Sequence, residues 1–214
     1  MEKKNKKILC VGIILLLMFV LWTVLLSFVD VRAIGPRNSS VGFACINQYV
    51  HNLVGVNMDL YIITDWLGLV PVAIGFGFAI LGLVQWVKGK NILKVDQSIL
   101  ALGVFYIIVF GVYILFETVV INYRPVLIDG YLEASYPSST TVLVMCIMPT
   151  AIFQFNMRIK NNVLKKCIVA IISIFIAFMV VGRLISGVHW LTDIIGGAMF
   201  SAGIVLIYYS FCRQ

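Results

Sequence analysis

From Ile8 to Phe28 the chain runs 21 residues without a charged side chain. A helix of that length covers the roughly 30 Å hydrocarbon core of a bilayer. The pattern recurs, with spans at about 8–28, 67–87, 98–116, 141–157, 167–184 and 190–211. In hydrocarbon every backbone N–H and C=O must find its partner inside the segment, so such runs are restricted to helices. The composition agrees, at 62% hydrophobic and 12% charged residues. A water-soluble domain of 214 residues would need more polar surface than this. The reading is all-α: one polytopic membrane domain over 1–214, with six transmembrane helices in a single bundle. The first span exceeds a secretory signal core and no small-residue cleavage site follows it, so it reads as retained.

The stretch 29–66 fits neither a span nor a free loop. It mixes Asp30, Arg32, Arg37, Asp59 and Asp65 with apolar residues and predicts an amphipathic segment at the membrane face. The small-residue pairs Ala73/Gly77 and Gly197/Ser201 predict close helix packing. Trp66, Trp86 and Trp190 fall at span ends and read as interface anchors. The five cysteines show neither disulfide nor metal spacing.

A net charge of +7 would suit a nucleic-acid partner, but its distribution gives another meaning. Twelve of the sixteen Lys and Arg fall in the N-terminal tail, the 88–94 loop, the 158–166 loop and Arg213. Six spans put all of these on one side, which the positive-inside rule makes the cytoplasm. Both termini are then cytoplasmic, the protein sits multi-pass in the plasma membrane, and no nucleic-acid partner is implied. The same topology brings 117–140 and 182–193 together at the outer face.

Those two segments carry the polar chemistry. Gly182-Arg183-Leu184-Ile185-Ser186-Gly187-Val188-His189-Trp190-Leu191-Thr192-Asp193 places an Arg, a His and an Asp between two apolar runs, where charges are costly. With His189 and Asp193 four apart at a helix start, the carboxylate can hold one ring nitrogen and leave the other free as nucleophile or base. Arg183 suits an oxyanion, as does Arg124 in the other segment. Pro137-Ser138-Ser139-Thr140 opens the fourth span, where unsatisfied N–H groups and hydroxyls face an anion. The structural alternative is a buried ion pair with a membrane-edge arginine. No metal or other cofactor is called for by these residues.

This pattern resembles the type 2 phosphatidic acid phosphatase family of membrane lipid phosphatases, which is related to the vanadium haloperoxidases. Its motifs are Lys-x6-Arg-Pro, Pro-Ser-Gly-His and Ser-Arg-x5-His-x3-Asp. Here Gly182-Arg183, His189 and Asp193 keep the third motif apart from its first Ser, Arg124-Pro125 keeps the end of the first, and Pro137-Ser138 the start of the second. The resemblance implies a six-helix bundle with the site at the outer face. It makes His189 the nucleophile and Asp193 its orienting group, with Arg124, Arg183 and Ser138 contacting phosphate. Ser139 and Thr140 stand where the family has Gly and the His that protonates the leaving group, and Glu117 stands where it has Lys.

A missing general acid slows release of a poor leaving group by a factor of roughly 10²–10⁴. Glu117, Glu133 and Asp129 are candidate proton donors, although Glu117 reads better as an ion-pair partner of Arg124. His51, the other histidine, reads as a surface residue. The expected function is hydrolysis of a lipid phosphate or diphosphate through a phosphohistidine. Isoprenyl diphosphates, phosphatidic acid and phosphatidylglycerophosphate are candidate substrates. The alternative is a non-catalytic lipid-phosphate binding, transport or regulatory protein. Oligomeric state is not encoded in any of these features.

Overall fold

The computed structural model describes residues 2–212, and every regular element among them is helical. In chain order the α-helices are α1 (Glu2–Leu26), α2 (Ala44–Val54), α3 (Met58–Leu67), α4 (Leu69–Gly89), α5 (Gln97–Thr118), α6 (Ser139–Arg158), α7 (Asn162–Ile185) and α8 (Leu191–Cys212), with single 3-10 turns at Pro36–Asn38 and Ile92–Lys94. Among the described residues six stretches are long and apolar enough to cross a membrane, as expected. The second of them, Met58–Gly89, is 32 residues long because α3 and α4 follow each other across Gly68 alone. The segment 29–66 therefore divides into a loop, the half-exposed helix α2 and the start of this long crossing. Arg213 lies outside the described residues.

α6 and α8 form the centre of the bundle. In each, 56% of the most apolar window is buried, against 11–22% in the other four crossings. α1 lies along α8 with backbones in near contact. A Cβ on Gly12 would come 2.9 Å from the Gly203 carbonyl oxygen, and one on Gly203 would come 3.1 Å from that of Gly12. Lipid tails are as apolar as leucine, so close approach through small residues supplies the attraction that water would otherwise drive. Gly197 and Ser201 behave as their spacing predicts: Gly197 packs on Thr141, and Ser201 is fully buried against the Val142 carbonyl. In α4 the contact falls elsewhere. Gly77 meets nothing within 4 Å, and Gly75 faces Ile147 and Tyr106 instead.

One end of the bundle is clamped by polar groups. Asp96 accepts from Ser98 N–H at the start of α5 and pairs with Arg158 Nη2 at 2.7 Å. Arg158 also reaches Gln154 Oε1, and Gln154 donates to the Tyr208 hydroxyl, which ties α5, α6 and α8 together.

At the other end three connections meet. Residues 119–138 fold back on themselves: Arg124 N–H donates to the Glu133 carbonyl at 3.0 Å, and Ser135 N–H donates to that of Asn122 at 2.9 Å. Asp129 and Gly130, both at positive φ, turn the tip. Asn47 of α2 is completely buried and receives Thr192 N–H from the first turn of α8, so a residue 145 positions away caps that helix. Tyr136 anchors the loop below, its hydroxyl 2.7 Å from Thr23 Oγ1 and its ring among Phe19 and Phe116.

Candidate active site

α7 ends when Ser186 Oγ donates to the Arg183 carbonyl and Gly187 enters the left-handed region at φ +67°. A Cβ at Gly187 would overlap the carbonyl oxygen of Gly55, so only glycine fits this turn. The turn places His189 before α8 rather than on it, while Asp193 sits in the first turn of α8. Asp193 Oδ2 accepts from Trp190 N–H at 2.9 Å, a carboxylate reaching back to cap its own helix. The shared helix face expected from the i, i+4 spacing is therefore absent, and the carboxylate does not hold the ring directly. His189 Nδ1 and Asp193 Oδ2 are 3.9 Å apart.

Ser135 occupies the gap, a residue that motif spacing did not single out. Its Oγ lies 3.0 Å from His189 Nδ1 and 2.5 Å from Asp193 Oδ2. On the far side of the ring, Nε2 lies 3.2 Å from Arg183 Nη2 and 3.4 Å from Arg124 Nη1. All five side chains are buried: Arg183 is 1% exposed, Ser135 2%, His189 3%, Arg124 8% and Asp193 not at all. Asn122 adds a longer contact to Asp193 Oδ1 at 3.4 Å. Burial, then the charges of Arg124 and Arg183, hold the His189 imidazole well below its usual 6.5, so the ring is neutral at physiological pH.

The two arginines are held by groups that the sequence reading missed. Arg183 contacts Thr64 Oγ1 at 3.5 Å and Asp65 Oδ1 at 3.6 Å, and its guanidinium lies over the Tyr61 ring at 4.9 Å. Arg124 lies over the same ring at 5.8 Å. Tyr61, Thr64 and Asp65 share one face of α3, and their i, i+3, i+4 spacing was the signal that could have found them. α3 approaches this closely because α7 presents Gly182, where a Cβ would come 2.9 Å from Thr64 Cγ2. The carboxylate partner of Arg124 is Glu133, at 3.0 Å from Nε, and not Glu117 as expected. The fold-back of 119–138 pairs the Arg124 and Glu133 backbones, which brings the side chains together, whereas Glu117 stays on α5. Among the described residues Arg183 Nε keeps a buried N–H with no hydrogen-bond acceptor, and the Arg124 Nε contact with Glu133 is an ion pair without hydrogen-bond alignment.

The second-motif residues separate. Ser138 is fully buried, its Oγ accepting from Thr141 and its N–H donating to the Asp193 carbonyl. Ser139 and Thr140 line a cavity of about 690 Å³ that also receives His189, Ser135, Glu117 and Asp65. Its remaining wall is mostly apolar and comes from α4, α5 and α6, among them Leu69, Phe76 and Phe110, which are exposed on the outer surface of the bundle. Asp129 is exposed at the tip of the 119–138 loop, and Glu133 is engaged with Arg124. His51 is half-buried with its ring 5.5 Å from that of Trp190. Trp190 itself is buried and donates to the Tyr123 carbonyl, so it packs the site and is no interface anchor, unlike the exposed Trp66 and Trp86. Among the described residues no three His, Cys, Asp or Glu side chains are grouped to hold a metal.

A crystal structure described as the first transmembrane PAP2 type phosphatidylglycerolphosphate phosphatase from Bacillus subtilis has the same fold, with a TM-score of 0.52 over 94% of each chain at 18% identity. No curated protein sequence matches the chain. The profile of the PAP2 superfamily matches residues 98–214, which include Arg124, Ser135, Arg183, His189 and Asp193. More than half of the chain is covered by that match, and the protein belongs to the PAP2 superfamily.

Proposed function

We propose that the protein is a phosphohydrolase acting on a lipid phosphate or diphosphate through a phosphohistidine on His189, at the outer face of the plasma membrane. The observation that carries this reading is the orientation of the His189 ring: Nε2 points between two guanidinium groups at one end of a largely apolar cavity. Guanidinium groups donate but never accept, so a ring nitrogen facing two of them presents its lone pair. That lone pair is the nucleophile. The two arginines, now turned toward it, would take the oxygens of an incoming phosphate with their bidentate forks and stabilise charge as it builds at phosphorus. The apolar cavity between α4, α5 and α6 suits a lipid tail, and its exposed wall residues suit entry from the bilayer.

Two displacements follow. In the first, Nε2 attacks phosphorus and the bond to the leaving-group oxygen breaks. In the second, water attacks the phosphohistidine, the N–P bond breaks and phosphate leaves. The first step tests the leaving group, because Thr140 stands where the family has its acid. A hydroxyl does not supply a proton near neutral pH. Glu117 and Asp65 are the carboxylates on the cavity wall that could. A phosphate leaving from a diphosphate needs less help than an alkoxide, so isoprenyl-type diphosphates are the favoured substrates. Monoesters such as phosphatidic acid or phosphatidylglycerophosphate, the latter named for the Bacillus subtilis relative, come second.

The loss of that acid also favours a second reading, in which the arginines bind a lipid phosphate without chemistry. Phosphate release by the purified protein in detergent separates the two, with His189→Ala alongside. Turnover of diphosphates that the variant abolishes supports the hydrolase, and its acid limb should lie below pH 6.5 because His189 resists protonation. Equal binding of lipid phosphates by both proteins, with no turnover, supports the binder.

A further inference from the structure

We infer that Ser135 is a positioning residue for His189, the middle member of an Asp193–Ser135–His189 relay that fixes the ring tautomer. The argument closes from both ends of the ring. Nε2 faces Arg183 at 3.2 Å and Arg124 at 3.4 Å, which only donate, so Nε2 carries no proton and Nδ1 does. At the other end Asp193 in its ionised form, which the Trp190 N–H donated to it favours, only accepts, so Ser135 donates its one hydroxyl proton to Oδ2 at 2.5 Å. The Ser135 oxygen is then left to accept from Nδ1–H at 3.0 Å. The two deductions are independent and name the same tautomer.

The direct contact that the His-x3-Asp spacing suggests is not available. At 3.9 Å Asp193 Oδ2 is beyond hydrogen-bond reach of Nδ1, and its lone pairs are occupied by Ser135 and Trp190 N–H. The backbone holds Ser135 in place from two sides: its N–H donates to the Asn122 carbonyl at 2.9 Å, and the neighbouring Tyr136 is anchored on Thr23. Without the hydroxyl, Nδ1–H would face a carboxylate too far to accept it and would be left to the Ser135 backbone carbonyl, so the link to Asp193 that fixes the proton position and the ring orientation would be lost. In the phosphohydrolase reading, Nε2 bonds to phosphorus and the ring becomes cationic while Nδ1–H stays in place. Ser135 then carries the polarisation of that charge to Asp193 without moving a proton.

Two measurements on the full-length protein in detergent test this. The first does not depend on the proposed function: ¹⁵N chemical shifts of histidine-labelled protein, in a His51→Ala background so that only His189 reports. The expected spectrum is a single Nδ1–H tautomer that becomes a mixture, or inverts, in Ser135→Ala and returns in Ser135→Thr. The second, which rests on the proposed activity, is turnover of geranylgeranyl diphosphate in mixed micelles. One lost hydrogen bond to a group that becomes charged should lower kcat roughly 10- to 100-fold in Ser135→Ala. KM should hold within about twofold, since the Ser135 hydroxyl is engaged with Asp193 and with Nδ1, the ring nitrogen turned away from the arginines, and Ser135→Thr should recover most of the rate. An Nε2–H tautomer in the parent, or an unchanged tautomer in Ser135→Ala, overturns the proposal. So does a loss of rate that Ser135→Thr fails to rescue. An absence of turnover in the parent alongside the expected spectra overturns the hydrolase reading and leaves the relay standing.

Discussion

At the scale of single residues the site is a set of buried polar groups that solve one another's solvation problem. Arg183 can be 1% exposed because Thr64, Asp65, the Tyr61 ring and His189 surround it, and a charge so placed is tolerated only with such partners. His189 remains neutral because it is buried and two guanidinium groups face it, and a neutral imidazole is what the proposed phosphoryl acceptor requires. Thr140 is the position at which this chain gives up most of the family pattern. Its side chain lines the cavity that receives His189, so an imidazole there would stand beside the reacting phosphate. Thr140→His should raise turnover of a lipid monoester by about 10² or more. It should raise diphosphate turnover much less. Measuring phosphate release from both substrates checks this, and an equal effect on the two would count against leaving-group protonation as the missing function.

Helices and the turns between them explain why these residues meet. α3 and α7 pack closely at Gly182, which brings Thr64 against Arg183, and α2 contributes Asn47 as a cap for α8. The α7–α8 turn is the most demanding junction. Gly187 combines φ +67° with backbone contact to Gly55, which locks the 186–190 turn against the α2–α3 connection. A left-handed conformation alone costs a residue with a side chain roughly 1–2 kcal/mol, and the overlap with Gly55 adds to it. Gly187→Ala should therefore lower the thermal unfolding temperature in detergent and disturb His189, two residues on. A variant with wild-type stability would show that the turn relaxes more easily than its geometry implies. By contrast, Gly77 of α4, which meets nothing within 4 Å, should accept alanine without loss.

For the molecule as a whole, the arrangement separates two chemistries by the thickness of the bundle. The clamp of Asp96, Arg158, Gln154 and Tyr208 ties one end, and the arginines and His189 occupy the other. The basic loops 88–94 and 158–166 flank the clamp, and from the positive-inside rule we propose that this end is cytoplasmic and the site external. Single cysteines introduced at Asp129, on the exposed tip of the 119–138 loop, and at Lys160 test this in a background without the native cysteines. A membrane-impermeant thiol reagent applied to intact cells should label the first and spare the second. The opposite pattern would put the site on the cytoplasmic side.

The chain's own order determined what depends on local pattern. Span number and helical class follow from the length of apolar runs, because hydrocarbon leaves the backbone no other option. The identity of His189, Asp193, Arg124 and Arg183 as one polar set follows from charges that would otherwise be too costly where they lie. Only the tertiary structure decided how that set is wired. Ser135 reaches His189 across 54 residues and Thr64 reaches Arg183 across 119. Arg124 takes Glu133 and not Glu117 because a loop folds back, which no periodicity records. Asp193 stands one hydroxyl away from His189 because Gly187 turns the chain before α8 begins, so the four-residue spacing falls across a turn and a helix start. Spacing fixes neighbours within a helix. Between helices it is the packing of glycines, caps and buried donors that selects the partner.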